Sequence, residues 1–467
     1  MLFSSLIFLV YFLPITVIVY YSIPTKRLDL RNIWLLLASL VFYSWGEPVY
    51  VFLMIYSALF NYFMAGQIAR EKEMGGSGKR NMLFTLVMNL LILGFFKYWG
   101  FLMETINAVL GLHLQYTALP LPIGISFYTF QGLSYIFDVY RGKVEVQKNP
   151  LKVALYLALF PQLIAGPIVN YKDIEKQLDE RTCNMDRFGE GAVRFCIGLG
   201  KKVILANNLG ALFAEICLLP DSRMSLVTAW IGILGYTFQI YFDFSGYSDM
   251  AIGLGKMFGF DFKENFNYPY ISKSISDFWR RWHISLSSWF RDYVYIPLGG
   301  NRCSVPRHIL NLLIVWSLTG LWHGANWNFV AWGTYFGILL ILEKYLIGKY
   351  IEKLPEWAKH VYTMLIVIIS WVFFSITDTA QMFHYLAMMF GLGGVSLANM
   401  TTVYYLRTSI VLLIAATAGS TPKPAEFIRK LCDSHEKLGI TFIMAVFVMA
   451  LAYLVFGSYN PFLYFRF

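Results

Sequence analysis

The sequence predicts an all-α, polytopic membrane helix bundle, and three observations carry that prediction. The chain is 57% hydrophobic and only 14% charged, against about 25% charged residues in soluble domains. Its mean hydropathy is positive. Apolar runs of membrane-spanning length recur along all 467 residues, enough for about 11–12 helices of about 20 residues each, with re-entrant or interfacial helices between them. No long polar linker interrupts the pattern, so residues 1–467 read as a single transmembrane domain. No internal repeat of fixed period is visible, which gives no support to an inverted-repeat transporter.

Taken in order, residues 2–22 form the first helix. No basic segment precedes it and no small-residue cleavage site follows, so it reads as retained rather than as a signal peptide. Residues 33–66 form a hairpin broken at Gly46 and Pro48, and 82–103 cross outward. Residues 119–139 return to Arg141, Lys143, Lys148 and Lys152. The apolar stretch 151–170 contains Pro161, Gly166 and Pro167 and reads as re-entrant, a geometry tolerated where protein satisfies the freed backbone groups. Residues 172–187 read as a cytoplasmic surface helix, 188–219 as an outward crossing and 226–257 as a long return. Further crossings fall at 308–322, 327–343, 361–377, 404–419 and 439–457, with 378–403 as an outer loop without Lys or Arg.

Lys and Arg cluster in alternate loops: at 26–31, 70–80, 141–152, 256–307, 344–359 and 423–437. By the positive-inside bias these face the cytoplasm, which places both termini outside. The formal charge of +10 therefore marks cytoplasmic loops among membrane lipids and gives no argument for a nucleic-acid partner. The five cysteines are scattered, with no CxxC and no metal-ligand spacing. Asp243 and Asp249 are costly at membrane depth. Their spacing of six places them on different faces of a helix, so they are expected to pair with nearby arginines rather than with each other.

Residues 277–328 gather the chemistry. His283 lies in a stretch crowded with Arg280, Arg281, Arg291, Asp292 and Arg302, and His323 follows an apolar run between Trp322 and Gly324. A histidine at membrane depth is costly unless paired or functional. Alone, His323 reads equally as a packed bundle residue; the basic block before it makes it a site candidate. Acyl transfer to a hydroxyl needs a base near neutrality, which imidazole supplies. The arginines either clamp phosphate bidentately or are ordinary cytoplasmic-loop charge.

The stretches DFWRRWHISLSSWFRDYVYIPLGG and LTGLWHGANWNFVAWG resemble the core signature of the membrane-bound O-acyltransferases. Within that family they resemble the bacterial branch of alginate O-acetyltransferases and D-alanyl transfer proteins. LASLVFYSWGEP, LPIGISFYTFQGLSYIFDVYRG, FPQLIAGPIV and YFDFSGYSDMAIGLGKMFGF extend the likeness nearly end to end. The resemblance implies a catalytic core over about 120–345 around a central tunnel, with His323 as the catalytic histidine. It implies that His283 orients the donor or polarises its thioester carbonyl. Arg280, Arg281, Trp282, Arg291, Trp322 and Asn326 form the expected donor-binding set, with acetyl-coenzyme A or another cytosolic acyl thioester as the donor. No bound cofactor and no metal is expected.

The tail 458–467 ends in PFLYFRF. Aromatic residues at a membrane edge are usually belt residues. This ending also resembles a family acyl-transfer motif in which a tyrosine carries the acyl group, and Phe462, Tyr464 and Phe467 fit it. The resemblance implies an O-acetyltransferase acting on an exported or cell-envelope polysaccharide, completed by an extracytoplasmic SGNH-hydrolase-like partner. D-alanyl transfer to teichoic acid and non-catalytic movement of an acyl group or lipid-linked sugar are the competing readings.

Overall fold

The computed structural model describes residues 1–117, 119–457, 459, 460 and 463. Among these the regular structure is helical, apart from an isolated parallel bridge between Ser225 and Ser396. Contacts divide the chain into two compact units, Met1–Phe195 with Tyr247–Glu264, and Cys196–Gly246 with Asn265–Phe467.

The first unit begins with α1 (Leu13–Ser22), α2 (Leu28–Ser44), α3 (Tyr50–Glu73), α4 (Lys79–Leu110) and α5 (Ile125–Tyr140). The turn at Gly46 and Pro48 separates α2 from α3, as the sequence predicts. Buried asparagines join α3 to α4: Asn61 Nδ2 donates to Asn89 Oδ1 at 3.2 Å and Asn89 Nδ2 donates back at 3.1 Å. Such side-chain bonds hold helices together where lipid supplies no hydrophobic drive.

The expected break in 151–170 is present. The helix α6 (Pro150–Ala158) stops at Leu159, the single turn α7 (Phe160–Leu163) follows, and the chain runs irregularly to α8 (Tyr171–Asp179). Protein satisfies this backbone. The Phe160 N–H donates to Ser39 Oγ at 3.1 Å, and the Tyr156 hydroxyl donates to the Val169 carbonyl at 2.8 Å. In the same unit Arg194 pairs with Asp249 at 2.9 Å, as predicted for that carboxylate.

The chain continues through α9 (Met185–Gly200), a π-helical turn at Lys201–Ala206, α10 (Asn207–Cys217) and the long α11 (Leu226–Met257). The second unit then adds α12 (Ile275–Arg281), α13 (Ile284–Phe290), α14 (Val305–His323), α15 (Trp327–Leu342), the short α16 (Gly348–Ile351) and α17 (Glu356–Ser375). It closes with α18 (Thr379–Met389), α19 (Met400–Gly419), α20 (Lys423–Ser434) and α21 (Glu436–Phe456).

Two of these lie where the sequence suggested only loop. Helix α18 lies within the stretch 378–403; it starts on an Asp378 cap that accepts the Gln381 N–H at 2.8 Å and buries Met382, Tyr385, Met388 and Met389. Helix α20 is amphipathic and falls in the basic segment before α21.

Among the described residues, six helices are long and apolar enough to cross a membrane: Tyr50–Glu73, Lys79–Leu110, Trp327–Ile351, Glu356–Ser375, Met400–Gly419 and Glu436–Phe456. They leave large apolar side chains such as Phe52, Phe63, Val411 and Val448 exposed, which only a lipid surrounding makes favourable.

Candidate functional site

The site is built at two helix ends, both in the second unit. Helix α12 starts on Ser274, whose side chain accepts the Asp277 N–H at 3.0 Å. The Glu343 carboxylate accepts the N–H groups of Ile275 at 2.8 Å and Ser276 at 3.3 Å. An anion at a helix N-terminus satisfies donors that the helix itself leaves open. The helix ends at Trp282, and the next residue, His283, turns the chain into α13 with φ 44° and ψ 54°.

That left-handed conformation is uncommon for a side chain other than glycine, and such residues concentrate where surrounding structure fixes them for a purpose. Two backbone bonds lock the corner: Asn267 N–H to the Arg281 carbonyl and Ile284 N–H to the Asn265 carbonyl, both at 2.9 Å.

Asn265 also sets the proton on the His283 ring. Its Oδ1 accepts from the Ser285 N–H at 3.2 Å and the Ser285 hydroxyl at 2.8 Å, and it lies 3.1 Å from His283 Nδ1. A backbone N–H can only donate, so this atom is the amide oxygen, and a neutral His283 must carry its proton on Nδ1. Its Nε2 is then the acceptor nitrogen. That suits orienting a group with a proton to give; polarising a carbonyl would need an N–H at Nε2, and so the imidazolium.

His323 is the last residue of α14. A hairpin without room for side chains brings it in. A Cβ at Gly320 would strike the Phe329 carbonyl, and one at Gly333 the Trp316 carbonyl, so only glycine lets α14 and α15 approach this closely. Gly324, directly after the histidine, would carry a Cβ into the Phe329 ring. Helix α15 is capped by Asn326, whose side chain accepts the Asn328 N–H at 3.4 Å. Asn328 in turn donates to the Phe373 carbonyl of α17 at 3.0 Å.

The His323 ring is therefore walled by Trp322 and Trp332, each 5.1 Å away between centroids, and by Phe374 at 5.3 Å. Phe244 of α11 stands edge-on to His283 at 4.6 Å. The two imidazoles are 1% and 2% exposed and their centroids are 6.4 Å apart. At that separation both can reach one small polar group, such as an acyl carbonyl and the hydroxyl attacking it.

The structure brings together His283, His323 and Trp322, whose ring is 5.9 Å from His283. It does not gather the rest of the expected donor set around them. Trp282 is buried in the aromatic core against Trp371 and Phe278. Arg281 pairs with Asp277 at 2.9 Å and Arg291 with its neighbour Asp292, also at 2.9 Å. Arg280 and Arg302 are exposed, and Asn326 serves as a helix cap. Phe462, Tyr464 and Phe467 lie outside the described residues.

Asp243 departs from its expected arginine partner. It pairs with Lys202 at 2.6 Å, both side chains being buried. Asn265 and Lys202 escaped the sequence reading because nothing local marks them. Asn265 stands 18 residues from its histidine, and Lys202 follows another lysine inside the stretch 188–219, which reads as a membrane crossing. His308 is also buried, but the Tyr295 and Tyr345 hydroxyls each lie 2.7 Å from one of its nitrogens. Packing and hydrogen bonding account for it.

Known proteins resemble this chain over most of its length. Residues 145–387 match MBOAT, the membrane-bound O-acyltransferase family. A probable alginate O-acetylase AlgI of Pseudomonas putida is 39% identical over all of both chains. Another of that name, from Azotobacter vinelandii, is 42% identical over 89% of this chain and 83% of its own. A peptidoglycan O-acetyltransferase of Helicobacter pylori is 36% identical over 86% of this chain and 82% of its own. The chain belongs to the membrane-bound O-acyltransferase family and is a multi-pass membrane acyltransferase.

Proposed function

We propose that this protein moves an acetyl group from a cytosolic thioester, acetyl-coenzyme A or another acyl thioester, across the bacterial plasma membrane for O-acetylation of an exported or cell-envelope polysaccharide. One observation carries the catalytic reading: two imidazoles, each almost wholly buried, lie with their ring centroids 6.4 Å apart. In this reading His323 is the general base. The acceptor hydroxyl oxygen attacks the thioester carbonyl and the C–S bond breaks. The hydroxyl proton passes through the His323 imidazole to the departing thiol. His283, with its acceptor Nε2, orients the groups that meet there.

Tyr464 serves as the intermediate acceptor, its acetyl ester then being handed to an extracytoplasmic SGNH-hydrolase-like partner that acetylates the glycan. The basic loops face the cytoplasm and both termini the outside. The alginate and peptidoglycan O-acetylation in the names of the relatives supports this choice of acceptor class.

The test is transfer from a labelled acetyl thioester by the purified protein. His323→Ala is expected to lower it by about 100-fold or more, the contribution of a positioned general base. Tyr464→Phe is expected to remove the label from the C-terminal peptide. Undiminished transfer in His323→Ala would sink the assignment.

A further inference from the structure

The pair Lys202–Asp243 has no use in the chemistry above, yet it is among the most costly features of its unit. A buried ion pair is not kept for stability, since apolar replacements of similar volume are often neutral or stabilising, and in lipid surroundings each charge costs more. The local structure is arranged to make it. Lys202 lies in the π-helical turn Lys201–Ala206, a distortion frequent at functional sites. Gly246 lets α11 approach there, because a Cβ would sit 2.7 Å from the Gly198 carbonyl oxygen and 3.1 Å from the Lys202 nitrogen.

The two oxygens of Asp243 have different partners. Lys202 Nζ forms an ion pair with Oδ1 at 2.6 Å, and the backbone N–H of Leu463 donates to Oδ2 at 3.0 Å. Lys202 also donates to Asn207 Oδ1 at 2.9 Å, and Asn207 Nδ2 donates to Asn460 Oδ1 at 3.2 Å. The segment after α21 is thus held at Asn460 through its side chain and at Leu463 through its main chain. The Leu463 side chain is itself buried in the apolar core. Asp243 is followed directly by Phe244, the ring that stands against His283.

We propose that Lys202, Asn207 and Asp243 form a buried clasp that docks the C-terminal segment beside the imidazole pair. Asp243 is the receptor for the main chain one residue before Tyr464, and Lys202 compensates its charge and fixes its orientation. All three are positioning residues. The purpose of the clasp rests on the proposed carrier role of Tyr464; its geometry does not.

Hydrogen exchange of the full-length protein in detergent, followed by mass spectrometry of the peptide 457–467, tests this. In the wild type one amide of that peptide should exchange slowly. In Leu463→Pro, which removes the donor and leaves the ion pair intact, and in Lys202→Met/Asp243→Leu, which removes the pair without stranding a charge, that protection should vanish. The acceleration should be at least about tenfold, the scale of one hydrogen bond to a charged group. Unchanged thermal unfolding of Leu463→Pro separates loss of docking from misfolding. A wild-type peptide that exchanges at the free rate, or equal protection in wild type and both variants, overturns the clasp and leaves the carrier reading standing. Lost protection alongside normal transfer in Tyr464→Phe overturns the carrier reading and leaves the clasp.

Discussion

Asn265 decides what His283 can do. With its oxygen already taking two donors from Ser285, the ring is left with Nε2 as its acceptor nitrogen. A ring nitrogen's protonation is set by the bond its sibling makes, so removing the acceptor should disturb catalysis more than packing. We expect Asn265→Leu to lower acetyl transfer on the order of ten- to a hundredfold, in the range of acid–base positioning effects, while Asn265→Asp, which keeps an acceptor oxygen, retains more. Initial rates from a labelled thioester measure this, and equal losses in the two variants would remove the tautomer argument. None of it is legible locally: the histidine stands out in the sequence, and the residue that sets its proton does not.

The α14–α15 hairpin is the element that delivers His323. Its glycines are there because backbone and aromatic atoms fill the space where a Cβ would stand. Gly320→Ala should therefore overpack the hairpin at a cost of about 1–3 kcal/mol, read as a lower midpoint of thermal unfolding in detergent. A midpoint equal to the wild type would show that the hairpin can open at little cost. Gly324→Ala should add a loss of transfer to any loss of stability, because the displaced Phe329 ring lies beside Phe374, which walls the His323 ring. At this scale the sequence is informative. The break at Gly46 and Pro48, the irregular path after Ala158 and the unbroken helix 226–257 all follow from apolar run length and proline placement. Helix α18 was hidden because its buried face is made of methionines and a tyrosine in a short segment without Lys or Arg.

For the whole molecule, the alternation of basic and base-free loops predicts orientation. With the segment 70–80 in the cytoplasm, a cysteine at exposed Met74 should resist a membrane-impermeant maleimide in intact cells. One at exposed Leu112 should react. Labelling in the opposite sense would invert the assignment and remove the route from a cytosolic donor to an external acceptor. The two long stretches 277–300 and 318–333 carry the family resemblance by themselves, and the match over residues 145–387 agrees.

The membrane class, the succession of helices and the two histidines are legible in the amino-acid order, because apolar length, charge bias and a long motif are properties of contiguous residues. Which polar groups meet depends on how the helices pack. The bonds from Asn265 to His283, from Glu343 to the start of α12, and from Asp243 to Lys202 and Leu463 span 18 to 220 residues. No local pattern encodes such pairings. They exist because a buried polar group must find a partner wherever the packed helices bring one.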